Sequence, residues 1–174
     1  MAEARRSRGR AAGSSGERSP AKLRSKARAI LVLSGPNLQL LGRREPSIYG
    51  RDTLAVIHAR LQAIALERGA RVDCRQSNHE GELCDWLGAC PSEGFNGVLI
   101  NAGAYTHTSL ALYDAIRAIK LPAVEVHLSN PEAREAYRHE SKLAAACLGK
   151  VAGFGSNSYA LALRALLDHL DAKR

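Results

Sequence analysis

The apolar positions of this chain follow two alternating patterns from residue 29 onward. Short apolar or alternating runs, which are typical of β-strands, predict strands at 29–34, 71–76, 97–101, 123–128 and 151–154. Between them, apolar residues recur every three or four positions, as they do on one face of a helix. This spacing predicts helices at 53–68, 80–89, 109–119 and 157–170, with a further helix starting at Asn130-Pro131.

Strands that alternate with helices through short connections predict an α/β fold with an open parallel sheet. The crossovers of such a sheet are right-handed because the strands twist. At this chain length we expect a flavodoxin-like three-layer sandwich with five strands in the order 2-1-3-4-5 and helices on both faces. Ligands of such sheets bind beyond the carboxyl ends of the strands, where the strand order reverses. That point lies between strands 1 and 3.

Capping residues predict several of the helix boundaries. Asp52 is the expected N-cap of the first helix, and Gly69 is expected to follow its last turn as a C′ glycine. Asn130 as N-cap with Pro131 in the first turn predicts the start of the helix that follows strand 4.

The formal charge of +8 is concentrated in the first 28 residues. This segment holds nine Lys or Arg and two Glu, which is +7, whereas residues 29–174 hold 16 basic and 15 acidic residues, which is +1. Because residues 1–28 also lack apolar periodicity, we predict a disordered basic tail followed by one folded domain at 29–174. A transit peptide and a polyanion-binding arm are alternatives for the tail. The nearly neutral domain argues against a nucleic-acid partner.

The four cysteines predict free thiols in a reducing compartment. Cys74, Cys84, Cys90 and Cys147 have no CxxC spacing, which also argues against a zinc site. No apolar run approaches the ~18 residues of a membrane-spanning helix. We therefore predict a cytoplasmic protein with neither a membrane anchor nor a bound metal.

Polar residues collect where three neighbouring strands end. Strand 1 runs into Asn37, and strand 3 ends at Asn101 with His107 shortly after it. Strand 4 carries Glu125 and His127, two residues apart and therefore on the same face. Amides and histidines on one rim suit a polar, hydrogen-bonding substrate, and the rim lacks the acidic cluster that Mg²⁺ requires.

The connection at 38–51 is long for a βα loop and is a candidate active-site lid. It contains Arg44 and Tyr49. Neither GxGxxG nor GxxxxGK[ST] follows strand 1, which argues against a nucleotide cofactor. Since fold does not fix function, a flavodoxin-like cofactor-binding module remains an alternative.

Six segments, in order and correctly spaced, resemble the successive motifs of type II 3-dehydroquinate dehydratases. They are SGPNL at 34–38, GRREPSIYG at 42–50, QSN at 76–78, NAGAYTHTS at 101–109, EVHLSN at 125–130 and AREAYR at 133–138. The resemblance runs from about residue 29 to residue 170 and excludes the tail. It implies dehydration of 3-dehydroquinate to 3-dehydroshikimate in the shikimate pathway, or in quinate breakdown by the same reaction.

The resemblance also implies a mechanism that uses neither a Schiff base nor a metal, with no cofactor. Tyr49 would take the proton beside the ketone, and Arg44 would favour its phenolate. The resulting enolate would then lose the hydroxyl, protonated by His127. Glu125 would favour the protonated form of that imidazole. Asn37 would help to orient the histidine and Tyr49.

Substrate contacts implied by the resemblance fall on Asn101, His107, Asp114, Leu128, Ser129 and Arg138. Asn101 would hold a water or the substrate near the enolate oxygen. The N–H groups of residues 128 and 129 would bind the substrate carboxylate, aided by the dipole of the helix expected at Asn130. Asp114 would reach a neighbouring subunit's site, since the family assembles as dodecamers built from trimers. Arg134 would serve structure or assembly.

Overall fold

A parallel sheet of five strands in the order β2-β1-β3-β4-β5 forms the centre of the protein. The computed structural model describes residues 27–43 and 50–173. The strands are β1 (Arg28–Ser34), β2 (Ala70–Gln76), β3 (Gly97–Asn101), β4 (Ala123–His127) and β5 (Gly149–Ala152). All adjacent pairs are parallel, so the predicted strand order is confirmed.

Each face of the sheet carries its own apolar core. In β1, Ile30 and Val32 face one core and Leu31 and Leu33 face the other, all four being fully buried. Successive strand side chains point to opposite faces, so a continuous apolar run marks a strand that is covered on both sides. The first predicted strand is such a run.

Four α-helices cover the two faces: α1 (Leu54–Glu67), α2 (Glu80–Ala89), α3 (Leu110–Ile119) and α4 (Asn157–Ala172). The buried residues of α1 and α4 join one core, and those of α2 and α3 join the other. The predicted three-layer sandwich with helices on both faces is therefore confirmed.

The N-cap predicted for the first helix was wrong by one residue. The Thr53 side chain, and not Asp52, accepts a hydrogen bond from the backbone N–H of Val56 at 3.3 Å. Asp52 instead accepts from the Ser156 hydroxyl at 2.6 Å and from Arg60 at 3.2 Å. These contacts tie the approach to α1 to the start of α4. Gly69 has the positive φ (62°) expected of a C′ glycine.

The helix predicted after β4 does not form. Asn130 does cap, accepting from the N–H of Glu132 at 3.2 Å, but only a three-residue 3-10 turn follows, Pro131–Ala133. Two further 3-10 turns complete the connection, Ala136–Arg138 and Ala144–Ala146. From 131 to 140 only Pro131 is buried. Without an apolar stripe to pack on the sheet, a helix here would lack the tertiary contacts that stabilise short helices.

Strand β1 begins at Arg28, which the tail prediction had included. Arg28 pairs with Ala70 in the sheet and forms an ion pair with Asp171 at 2.9 Å. Residues 1–26 lie outside the described part of the chain, so their disorder remains a prediction.

Across residues 27–43 and 50–173, no helix is long and apolar enough to cross a membrane. All four cysteines are free thiols.

Candidate active site

A cleft opens at the carboxyl ends of β1, β3 and β4, where the fold predicts ligand binding. It is flanked by apolar Leu38 and Leu41 on one side and by the connection after β4 on the other. Most of the site residues predicted from sequence line it together: Asn37, Asn101, His107, His127, Leu128, Ser129 and Arg138.

The floor of the cleft depends on a close approach between the exits of β1 and β3. The N–H of Gly35 donates to the carbonyl of Asn101 at 2.8 Å. A Cβ at position 35 would lie only 2.4 Å from the carbonyl oxygen of Ala102, so a residue with a side chain cannot be placed there without moving the backbone. This packing turns Asn37 and Asn101 toward the same space.

Asn37 holds a left-handed backbone conformation, with φ 67° and ψ 0°. Asparagine tolerates this region better than most residues that carry a Cβ. Its N–H donates to the side-chain oxygen of Asn78 at 3.0 Å, and Gln76 Nε2 donates to the same oxygen at 3.1 Å and to the Gly35 carbonyl at 3.3 Å. The QSN segment at 76–78 therefore braces the first loop.

Asn101 ends β3 as a buried amide, 3% exposed. Its Oδ1 accepts from the N–H of Gly103 at 3.2 Å, which leaves the NH₂ group as the donor end of the side chain. Near it, Ser34 Oγ and the Tyr159 hydroxyl share a hydrogen bond of 3.4 Å. Burial raises the pKa of Tyr159 to about 12, although hydrogen bonds with Ser34 and Asn101 act in the opposite direction. Tyr159 therefore stays neutral beside this amide.

Glu125 and His127 form a buried pair at the end of β4. Their Oε1 and Nε2 atoms are 2.7 Å apart, and Glu125 is fully buried. The second carboxylate oxygen, Oε2, accepts from the Ser141 hydroxyl at 2.7 Å. Burial alone would raise the pKa of the Glu125 carboxyl. Hydrogen bonds from His127 and Ser141, with the charges of His127 and Lys150, outweigh burial and hold that pKa below its ordinary value. Glu125 is thus an ionised acceptor, His127 donates Nε2–H to it, and Nδ1 is left for the cleft.

His107 is half-buried and its ring is held by the main chain. Nδ1 lies 2.8 Å from the carbonyl oxygen of Glu140. A carbonyl can only accept, so Nδ1 carries the proton and Nε2 is left for the cleft. The two histidines therefore present different ring nitrogens, one backed by a carboxylate and the other by a neutral carbonyl.

Two arginines give the open side of the cleft its positive charge. Arg138 Nε donates to Glu135 Oε2 at 2.8 Å. Arg134 also lines the cleft, and its Nη1 lies 3.4 Å from Ser129 Oγ and its Nε 3.4 Å from the same Glu135 oxygen. The expectation that Arg134 serves only structure or assembly therefore misses its place at the cleft.

Leu128 and Ser129 lie beside the cleft as expected, but the helix dipole invoked behind them was wrong. Only a three-residue 3-10 turn follows Asn130, and it lacks the aligned peptide groups of an α-helix. The favourable charge at this end of the cleft comes from the side chain of Arg134.

Four predicted residues are not among those that the structure places along the cleft. Glu125 lies behind His127 and reaches the cleft only through that ring. Arg44 and Tyr49 lie outside the described residues. Asp114 is exposed on α3 and does not line the cleft of its own chain.

Sequence reasoning missed Ser141, the carbonyl of Glu140 and Tyr159, which support site residues from below. No spacing signal marks them, because their contacts join distant segments: Ser141 is 16 residues from Glu125, and Tyr159 is 125 residues from Ser34. Within residues 27–43 and 50–173, no group of three or more His, Cys, Asp or Glu side chains is arranged to hold a metal ion.

Comparison with known proteins gives a consistent result. The family described as dehydroquinase class II matches residues 28–167. The 3-dehydroquinate dehydratase of Rhizobium johnstonii is 58% identical over 137 residues, covering 79% of this chain and 94% of the relative. That of an Exiguobacterium species is 56% identical over 140 residues, covering 80% and 94%.

Solved structures agree with the sequence relatives. The type II dehydroquinase of Butyrivibrio crossotus superposes with a TM-score of 0.79 at 38% identity, covering 80% of this chain and 97% of that one. The type II dehydroquinase of Propionibacterium acnes gives 0.78 at 41% identity, covering 82% and 97%. The chain described here belongs to the class II dehydroquinase family.

Proposed function

We propose that this chain dehydrates 3-dehydroquinate to 3-dehydroshikimate in the shikimate pathway, by anti elimination of water through an enolate. The observation that carries the proposal is the buried Glu125–His127 pair, 2.7 Å apart, opening on a polar cleft in a member of this family. Loss of a tertiary hydroxyl needs a proton donor, and an imidazole backed by an ionised carboxylate can supply one.

The first step is removal of a proton from the carbon beside the ketone. Tyr49 is the proposed base, and Arg44 is the cation that favours its phenolate. A free tyrosine, with a pKa of about 10, is mostly protonated at neutral pH, so a nearby positive charge is needed. Both roles come from the match of GRREPSIYG at 42–50, which lies within the matched segment 28–167. Leu41, just before this segment, lines the cleft, which supports placing the base there.

The enolate that results carries negative charge on the former ketone oxygen. Asn101 is the proposed donor to this charge, directly or through a water. Its side-chain oxygen is engaged by Gly103, and its NH₂ group, which bonds Tyr159, carries a second proton for the oxyanion. A neutral amide can stabilise an oxyanion without titrating. Asn37, on the opposite loop, is proposed to orient His127 and Tyr49.

The second step is loss of the hydroxyl with proton donation from His127. Its Nε2–H is held by Glu125, so the imidazolium would deliver its Nδ1 proton into the cleft. Glu125 keeps a negative charge beside the ring throughout, which offsets the positive charge of the proton donor. The proton leaves with the hydroxyl as water, and the enolate electrons form the new carbon–carbon double bond.

Substrate binding uses the remaining polar residues of the cleft. His107 and Arg138 are proposed to bind ring hydroxyls, through Nε2 and the guanidinium respectively. The backbone N–H groups of Leu128 and Ser129 are proposed to bind the carboxylate. Arg134, beside Ser129, supports this because it adds positive charge at the same end of the cleft.

Assembly and location are proposed from the exposed Asp114 and from the free cysteines. Asp114 is exposed on α3 and outside its own chain's cleft, as a residue that completes a neighbouring site would be. We therefore propose the homododecamer built from trimers that the resemblance implies, which light scattering would test. The free cysteines support a cytoplasmic location.

The deciding experiment is a dehydratase assay in which the conjugated enone of the product is followed by its ultraviolet absorbance. Turnover is expected to persist in excess chelator and after borohydride treatment, because the proposed mechanism uses neither a metal nor a Schiff base. Tyr49→Phe should lose most of kcat and still bind substrate. A correctly folded wild-type chain that fails to turn over 3-dehydroquinate would refute the proposed function.

A further inference from the structure

Ser141 lies behind the acid pair, at the start of the turn that leads to Ala144–Ala146. Its hydroxyl oxygen is 2.7 Å from Glu125 Oε2. The same oxygen accepts from the N–H groups of Leu143 at 3.1 Å and Ala144 at 3.0 Å. A hydroxyl has one proton and two lone pairs. Both lone pairs face backbone donors, so the proton can point only at Glu125.

This arrangement determines the direction of a whole hydrogen-bond chain. Because Ser141 donates to Oε2, Glu125 must accept there, which favours the ionised carboxylate. Because Glu125 is ionised, its other oxygen is an acceptor as well, and His127 donates Nε2–H to Oε1. Nδ1 is thereby left as the nitrogen that exchanges a proton with the cleft. Without the Ser141 hydroxyl, Glu125 Oε2 would lose the hydrogen bond that it accepts at 2.7 Å.

The segment that carries Ser141 is itself fixed to the site. Lys142 donates its N–H to the carbonyl of Thr106 at 2.8 Å, and the Glu140 carbonyl accepts from His107. Leu143 is fully buried in the core under β4. The position of the serine hydroxyl is therefore set by main-chain and core contacts, and it does not depend on a flexible side chain.

We propose that Ser141 is a positioning residue for the dehydration, which orients Glu125 as a hydrogen-bond acceptor so that His127 presents Nδ1 to the substrate. The proposal rests on the proposed function for its kinetic consequences, but its structural consequence is independent of turnover. Ser141 does not line the cleft and acts through Glu125 alone.

The other charged or titratable groups near Glu125 do not replace this serine. Lys150 on β5 acts on Glu125 through its charge but donates its hydrogen bond to Glu132 at 3.1 Å. The pKa of the Cys147 thiol is raised to about 12, mainly by burial and also by the charge of Glu125, so this group stays neutral. His127 serves Oε1. Ser141 is thus the donor that Oε2 has among the described residues.

The test compares Ser141→Ala with Ser141→Thr in the full-length chain. Alanine removes the donor, whereas threonine keeps a hydroxyl at the same position. Ser92→Ala is the matched control, since Ser92 is exposed after α2 and bonds only to the Ala89 carbonyl, at 2.8 Å, among the described residues. Circular dichroism and melting temperature establish that each variant is folded.

The first readout is the titration of the Glu125 carboxyl carbon by NMR in protein labelled at glutamate, assigned by loss of its signal in Glu125→Gln. In Ser141→Ala the midpoint should move up by about one pH unit, because a hydrogen bond to the charged form is lost. Ser141→Thr and Ser92→Ala should titrate as wild type. An unchanged midpoint in folded Ser141→Ala would overturn the proposal, whether or not the chain has dehydratase activity.

The second readout is the pH profile of kcat. In Ser141→Ala the acidic limb should move up with the Glu125 midpoint, and kcat should fall by roughly tenfold while KM stays within about twofold. Threonine should restore both. A threonine variant as impaired as alanine would mean that Ser141 acts by packing, which also overturns the proposal. Failure of the proposed function appears differently, as a wild-type chain with no turnover whose Glu125 midpoint still moves in Ser141→Ala.

Discussion

The two histidines of the cleft differ in what stands behind them. His127 is 8% exposed and its Nε2 meets the carboxylate of Glu125 at 2.7 Å. His107 is half-buried, and its Nδ1 meets the neutral carbonyl of Glu140 at 2.8 Å. The distances are nearly equal, so geometry alone does not separate their roles. The charge of the partner does.

A carboxylate and a carbonyl favour different states of an imidazole. The negative charge of Glu125 stabilises a positively charged ring, which is the state from which a proton can be donated. The carbonyl of Glu140 holds the proton on Nδ1 and leaves Nε2 as the hydrogen-bonding atom on the side of the cleft. His127 is therefore suited to proton transfer and His107 to recognition of a hydroxyl. Substitution of each histidine, and of the partner of His127, tests this distinction.

His127→Asn is the change with the largest expected effect. Asparagine keeps a hydrogen-bonding group near Glu125 but cannot donate a proton to a departing hydroxyl. We expect kcat to fall by about 10²–10⁴-fold with KM changed little, since a positioned acid contributes in this range. Steady-state kinetics at several pH values would measure it. A variant that keeps a tenth of wild-type kcat would show that the proton comes from elsewhere.

Glu125→Gln should have the next largest effect, because it changes the partner of His127 and leaves the imidazole ring in place. The amide has nearly the shape of the carboxylate but no charge, so it no longer favours the imidazolium. We expect kcat to fall by about 10²-fold with KM within a few-fold, since the acid group remains but loses the negative charge beside it. The pH profile is the measurement. An unchanged kcat would show that the charge of Glu125 does not distinguish His127 from His107.

Much of this site could be anticipated because it follows from strand geometry. Glu125 and His127 are two residues apart on β4, so their side chains had to share a face. All five residues of β3 are buried, and the apolar run at 97–101 predicted the bounds of this strand from sequence. The strand order then brought the ends of β1, β3 and β4 together.

The parts that sequence did not predict depend on packing between distant segments. The connection after β4 has a plausible N-cap at Asn130, yet no α-helix forms because the following residues have no core to cover. The predicted N-cap at Asn130 forms, but the tertiary contacts that would stabilise a helix after it are absent. Ser141 is found only when that irregular connection is folded back under β4. No periodicity marks such a residue.

His107→Asn should affect binding more than chemistry. The substitution removes Nε2 from the cleft while leaving the acid pair intact, so the ground state and the transition state should lose a similar contact. We expect KM to rise by roughly tenfold and kcat to stay within about threefold, which is the signature of lost uniform binding. Isothermal titration with the product would check the affinity separately. A fall in kcat of the size expected for His127→Asn would erase the distinction between the two rings.

The smallest expected effect is on stability in acid. It comes from the buried carboxylate of Glu125 behind His127, whereas the Glu140 carbonyl behind His107 cannot titrate. The pKa of Glu125 is depressed in the folded state by hydrogen bonds from His127 and Ser141, which outweigh the opposing effect of burial. The ionised group therefore adds stability above its unfolded pKa of about 4.3, and this stability is lost as pH falls through the lower folded value. Between pH 7 and pH 3 the melting temperature of wild type should drop a few degrees more than that of Glu125→Gln. Parallel slopes for wild type and Glu125→Gln would mean that Glu125 is not held as an anion in the folded protein.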